Sequence, residues 1–105
     1  MNPTADPGTG QPEDASGQVR PADGDGPDRV EQEMMEAVGE EIVIQRTRKK
    51  WSQERLAKET GYDKKTIGRL ERGERAPTII QLHRISKALG IMPAVLTRPI
   101  DKIAD

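Results

Sequence analysis

At 105 residues the chain is sized for a single domain. With one Trp, one Tyr, no Phe and no Cys, any core is small and aliphatic, and disulfides, thiolate metal sites and cysteine nucleophiles are excluded. The net charge of −1 conceals a split, because residues 1–35 hold eight acidic and two basic side chains while residues 36–105 hold fifteen basic and ten acidic.

The chain opens with a segment that reads as an acidic, disordered tail over residues 1–32. Five Gly, five Pro and almost no bulky apolar residues except Val19 and Val30 cannot bury enough surface to offset the entropy of ordering. From about Glu31 the pattern turns helical, with no alternating run that signals a strand. Val38 and Ile42 predict a first helix over residues 33–50. Ser52 is suited to cap a second helix that carries Leu56 and Ala57 and stops near Gly61. Asp63 opens a third, with Ile67 and Leu70, ending at Gly73. Thr78 and Gln81 have the spacing of a capping box for a fourth, which aligns Ile79, Leu82, Ile85, Ala88 and Leu89 and stops at Gly90. Pro93 begins a short fifth helix with Val95 and Leu96. The domain is expected over residues 33–98, with residues 99–105 as a C-terminal tail. The fold class is all-α.

Between Arg46 and Arg75 there are eleven Lys or Arg and five Asp or Glu. Such an excess suits either an anionic partner or a solvated helical surface. The second and third helices supply more. Two helices that cross steeply through a tight turn need a small residue where they touch, a turn residue tolerant of positive φ, and apolar anchors on the second helix. Ala57, Gly61, Ile67 and Leu70 meet these demands at the fifth, ninth, fifteenth and eighteenth positions counted from Gln53.

On these residues the sequence resembles the helix-turn-helix domains of phage repressors and Cro proteins, the xenobiotic-response-element type. Val38-Gly39-Glu40-Glu41-Ile42, Arg46, Ser52-Gln53-Glu54-Arg55-Leu56-Ala57, Gly61, Ile67, Glu71-Arg72-Gly73, Pro77 and Ala88-Leu89-Gly90 carry the resemblance, which runs from about Val38 to Leu96. It implies a five-helix, phage-repressor-like DNA-binding domain whose third helix enters the major groove of double-stranded DNA. It also implies roles. Gln53 matches a phosphate contact at a helix N-terminus. Lys64, Lys65 and Arg69 match exposed positions facing the bases, and Thr66 lies among them, toward a phosphate or a thymine methyl. Arg72 and Arg75 lie where the chain leaves the helix, near the DNA backbone. Arg46 and Glu71 match a structural ion pair between the first and third helices. For Lys64 and Lys65 the alternatives are phosphate contact or plain solvation, since Lys lacks the planar fork that lets Arg pair with guanine.

Two residues depart from the family pattern. Gly68 sits inside the third helix, where it either permits close approach to DNA or weakens the helix by about 1 kcal/mol. Asp63 places a negative charge where Ser or Thr is more usual. Trp51 is expected to pack beside the second helix, and His83 to lie on the polar side of the fourth.

The function that follows is a sequence-specific transcriptional regulator, a repressor acting as a homodimer, with its dimer contacts around Met92, Val95, Leu96 and Ile100. The alternative is an antitoxin-type protein that binds a partner toxin and represses its own operon, with the acidic tail as a protein-binding segment. An enzyme is disfavoured by a single His, the missing Cys, and the lack of a phosphate-binding glycine loop or metal-ligand cluster. No cofactor and no metal are expected. With no apolar run near the roughly 20 residues a membrane helix needs, and no secretory signal pattern, the cytoplasm is the expected compartment.

Overall fold

The computed structural model describes residues 28–104. It consists of helices α1 (Arg29–Arg48), α2 (Gln53–Thr60), α3 (Lys64–Glu71), α4 (Ile79–Leu89), α5 (Pro93–Thr97) and α6 (Ile100–Ala104), with no strand among the described residues. The tail expected over residues 1–32 lies outside the described residues as far as residue 27.

Each helix starts and stops for a local reason. Ser52 Oγ accepts the Arg55 amide at 3.0 Å, and Asp63 Oδ1 accepts the Thr66 amide at 2.8 Å. Thr78 and Gln81 form the full reciprocal capping box. Gly61 and Gly90 close α2 and α4 with left-handed φ of 84° and 74°.

The aliphatic anchors converge on one core: Val38, Ile42, Leu56, Ala57, Ile67, Leu70, Ile85, Leu89 and Leu96 are all buried. Trp51, Tyr62, Leu82 and Ile100 pack around it half-buried. Helix α1 lies against α3, α5 and α6, while α2 is wedged between α3 and α4. At the α1–α3 crossing there is no room for a side chain: a Cβ on Gly39 would collide with the Leu70 and Glu71 carbonyls.

Three boundaries differ from the sequence expectation. Helix α1 begins at Arg29 rather than residue 33, because Asp28 accepts the Glu31 amide at 2.8 Å and Gln32 Nε2 donates to the Gly73 carbonyl at 3.1 Å. It ends at Arg48, since Lys50 turns the chain with a φ of 61°. The expected C-terminal tail forms α6, held by Ile100 against the core.

Candidate nucleic-acid interface

Helices α2 and α3 are short, eight residues each, so their positions are set by burial rather than by intrinsic helicity. Leu56 and Ala57 on α2 meet Ile67 and Leu70 on α3, and Ile67 is fully buried. With that inner face fixed, the opposite face of α3 turns outward and carries Lys65, Thr66 and Arg69.

Behind α3 sits a network that locks its angle to α1. Arg46 Nε and Nη2 donate to the two Glu71 carboxylate oxygens at 2.7 and 3.1 Å, and Arg46 Nη1 donates to the Trp51 carbonyl at 2.8 Å. The pair is well shielded, with side chains 13% and 4% exposed. Gln53 Nε2 donates to Glu71 Oε1 at 2.7 Å, so the carboxylate accepts three hydrogen bonds. Gln53, read from sequence as a phosphate contact, is thus tied inward through one amide proton. Its second N–H can still serve an outside acceptor.

The predicted contact residues separate into two groups. Lys64 Nζ turns back to Glu54 at 3.1 Å, and its hydrogen bond holds the Glu54 carboxyl below the usual glutamate value. Arg72 Nε pairs with Glu74 at 2.7 Å; that hydrogen bond lowers the Glu74 pKa and raises that of Arg72. These two cations are compensated at the surface. Lys65, Arg69 and Arg75 form no ion pair among the described residues.

Thr66, Arg69 and Arg75 come together in one surface depression of about 160 Å³ between α3 and the start of α4. Thr78 and Gln81 complete its wall. The sequence reading assigned those two only to capping; their spacing signals the box, and nothing in it reveals that the box faces the same hollow as Arg69. Glu54 and Glu74 were likewise missed as partners, because pairs across a turn depend on geometry that spacing alone does not give.

Gly68, the departure inside α3, is buried. A Cβ there would meet only the far end of the Arg72 side chain, 3.0 Å from Nη1. Asp63 combines its cap with a lowered pKa, caused by hydrogen bonds from the Thr66 side chain and backbone. Trp51 has two cations at its ring, Lys49 Nζ 4.9 Å and the Arg55 guanidinium 4.6 Å from its centre. His83 is exposed on α4. Among the described residues no cluster of His, Cys, Asp or Glu is placed to hold a metal ion, and no helix is long and apolar enough to cross a membrane.

Known proteins resemble this chain in sequence and fold. A family model described as helix-turn-helix matches residues 42–96. An uncharacterised HTH-type transcriptional regulator, y4dJ, of Sinorhizobium fredii is 33% identical over 70 residues, covering 67% of this chain and 91% of that protein. Among solved structures, the restriction-modification controller protein C.AhdI from Aeromonas hydrophila is 34% identical with a TM-score of 0.58, over 59% of this chain and 94% of that one. The clp gene regulator ClgR from C. glutamicum, at 23% identity, shares the fold with a TM-score of 0.61 over 66% of this chain and 90% of that one.

Proposed function

Since this chain belongs to the helix-turn-helix family of DNA-binding transcriptional regulators, we propose that it is a sequence-specific repressor that acts as a dimer with α3 in the major groove. The observation that carries the reading is the outer face of α3. The buried anchors Ile67 and Leu70 hold Lys65, Thr66 and Arg69 outward, and Arg75 flanks them. Lys65 and Arg69 are four residues apart, one above the other on the helix surface. Arg69 supplies the planar fork that pairs bidentately with guanine, while Lys65 and Arg75 supply charge for phosphates on either side.

Two recognition helices are needed because one offers few base contacts, and a dimer sets them about 34 Å apart. Of the dimer residues expected from sequence, Leu96 is fully buried in the core and offers no surface to a partner; Val95 and Ile100 are half-buried. The most exposed large apolar side chains among the described residues are Ile79 at 83%, Met92 at 71% and Ile80 at 66%.

The test is binding to the duplex upstream of its own coding sequence and to random duplex, across a salt series. The upstream duplex is expected to bind about a thousandfold tighter, with log K falling by roughly 0.9 per phosphate neutralised for each log unit of salt. Transcription from that promoter in vitro should fall as the protein is added. Equal affinity for both duplexes would overturn sequence specificity, and a rise in transcript would overturn repression.

A further inference from the structure

We propose that the acidic segment preceding α1 docks on the basic surface formed by the outer face of α3 and the α3–α4 loop, in competition with DNA phosphates. The proposal rests on the DNA-binding reading of that surface and adds its occupant when DNA is absent.

Charge is the first argument. Residues 1–27 carry Asp6, Glu13, Asp14, Asp23 and Asp25 against Arg20 alone. On the domain, Glu54 and Glu74 already engage Lys64 and Arg72, while Lys65, Arg69 and Arg75 form no ion pair among the described residues, Lys65 and Arg69 feeling the Asp63 carboxylate, and Arg69 that of Glu74, only at longer range. Paired and unpaired cations intermingle along α3 and the loop after it, so the five carboxylates meet guanidinium and ammonium groups that no ion pair among the described residues takes up.

The point of attachment is the second. Asp28 caps α1, and one turn further on Gln32 Nε2 holds the Gly73 carbonyl at 3.1 Å. Glu36 packs against the same glycine, where an added Cβ would lie 2.6 Å from its Cγ. Gly73 follows Arg72 and lies two residues before Arg75, so the acidic segment joins the domain beside the loop that leaves the recognition helix.

Reach is the third. Asp28 and Gln32 are separated by about 6 Å along the helix axis. Asp23 is five residues before Asp28, which allows at most about 18 Å of chain and brings Arg72 and Arg75 within range. Glu13 and Asp14 have about 50 Å, several times the roughly 12 Å length of the eight-residue α3. Tethering of this kind gives an effective concentration in about the millimolar range, so weak ionic contacts suffice.

The contact lowers apparent DNA affinity by the fraction of molecules whose surface is open. That fraction belongs to the free protein, so it scales binding to operator and to random DNA alike.

The experiment compares the full chain with a full-length variant carrying Asp6→Asn, Glu13→Gln, Asp14→Asn, Asp23→Asn and Asp25→Asn. At low salt the neutralised chain is expected to bind both duplexes about five- to tenfold tighter, the scale of a few exposed ion pairs. The difference should vanish as salt rises. Without DNA, backbone amide signals at Lys65, Arg69 and Arg75 should differ between the two chains. Unmoved amides would overturn the proposal whatever the affinity does, since removing five negative charges weakens repulsion from DNA without any docking; unchanged affinity in chains that bind DNA, or a gap that persists at high salt, would overturn it too. If neither chain binds duplex DNA but the amides move, the docking contact stands and the DNA-binding reading of α3 fails.

Discussion

Arginine and lysine make different demands of DNA, and Arg69 and Lys65, one turn apart on α3, separate them. A guanidinium bidentate to guanine discriminates bases by about 1–3 kcal/mol, whereas a lysine on phosphate contributes charge alone. Arg69→Ala is therefore expected to weaken operator binding by about ten- to a hundredfold while changing random-duplex binding by about two- to fivefold. Lys65→Ala should weaken both duplexes by a similar small factor and reduce the salt slope by about one. Competition titrations with the two duplexes check this; equal losses in both variants would mean that Arg69 also reads only phosphate. Glu71 poses the opposite problem, because its work is internal. Its two oxygens accept from Arg46 twice and from Gln53 once. Glu71→Gln offers one acceptor oxygen and an amide that opposes a donor, and leaves the shielded Arg46 guanidinium without a counter-charge. A loss of about 3 kcal/mol is expected, a large share of a domain stability of about 5–15 kcal/mol. Urea unfolding should show a lower midpoint with an unchanged slope.

Among the elements, α3 is the one in which sequence and packing pull apart. Gly68 lowers its intrinsic helicity, yet the glycine has no turn to make and its vacant Cβ position faces only the Arg72 guanidinium, which can swing away. Gly68→Ala should thus stabilise the protein by about 0.5–1 kcal/mol, raising Tm by about 4–8 °C per kcal/mol. DNA affinity should stay within about twofold, because the position is covered by Arg72 and does not lie on the outward face. A collapse of binding in calorimetrically stable Gly68→Ala would show instead that DNA approaches the helix backbone there. At the N-terminus of α3, hydrogen bonds from Thr66 depress the Asp63 pKa below its ordinary 3.8. A depressed carboxylate adds stability above its unfolded pKa and loses it as pH falls through the folded value, so the cap weakens only in acid. Asp63→Ser should keep a cap, remove this acid sensitivity and tighten both duplexes about two- to threefold by deleting a negative charge near phosphate. Thermal melts below pH 4 and the same titrations check both parts. The helices themselves were legible wherever a cap and an apolar period coincided: Ser52, Asp63, Thr78, Gly61 and Gly90 mark their ends in the sequence. The extension of α1 to Arg29 was hidden because Asp28 follows a Gly/Pro-rich stretch and its turn is secured by Gln32 on Gly73, forty-one residues away. Helix α6 was hidden for a similar reason, since its anchor Ile100 gains a partner only when α1 lies beside it. The outward face of α3 could be named from the period; which of its cations are compensated could not, because Glu54 and Glu74 reach theirs across turns.

For the whole molecule, a net charge near zero says little, because residues 1–28 hold six acidic side chains against one basic, while residues 46–75 hold eleven basic against five acidic. A monomer presents one eight-residue α3, and on the proposed function its unpaired cations Lys65 and Arg69, with Arg75, would cover only a short stretch of groove. On that reading, specific affinity therefore depends on joining two such faces. Once one half-site is engaged, the second contact is intramolecular, and its gain survives only if both helices can enter their grooves together. The Arg46–Glu71 pair and the close Gly39 crossing hold α3 at a set angle to α1. With the half-site located by footprinting, duplexes should be built with half-site centres about 10 or about 15 base pairs apart. The first places both major grooves on one side of the helix, and the second sets the half-sites on opposite sides. Binding to the first is expected to be at least about a hundredfold tighter, the lower range for avidity, and sedimentation should find two chains per duplex. Equal binding to both spacings, with one chain per duplex, would mean that a single α3 carries recognition and that the dimer is no part of it.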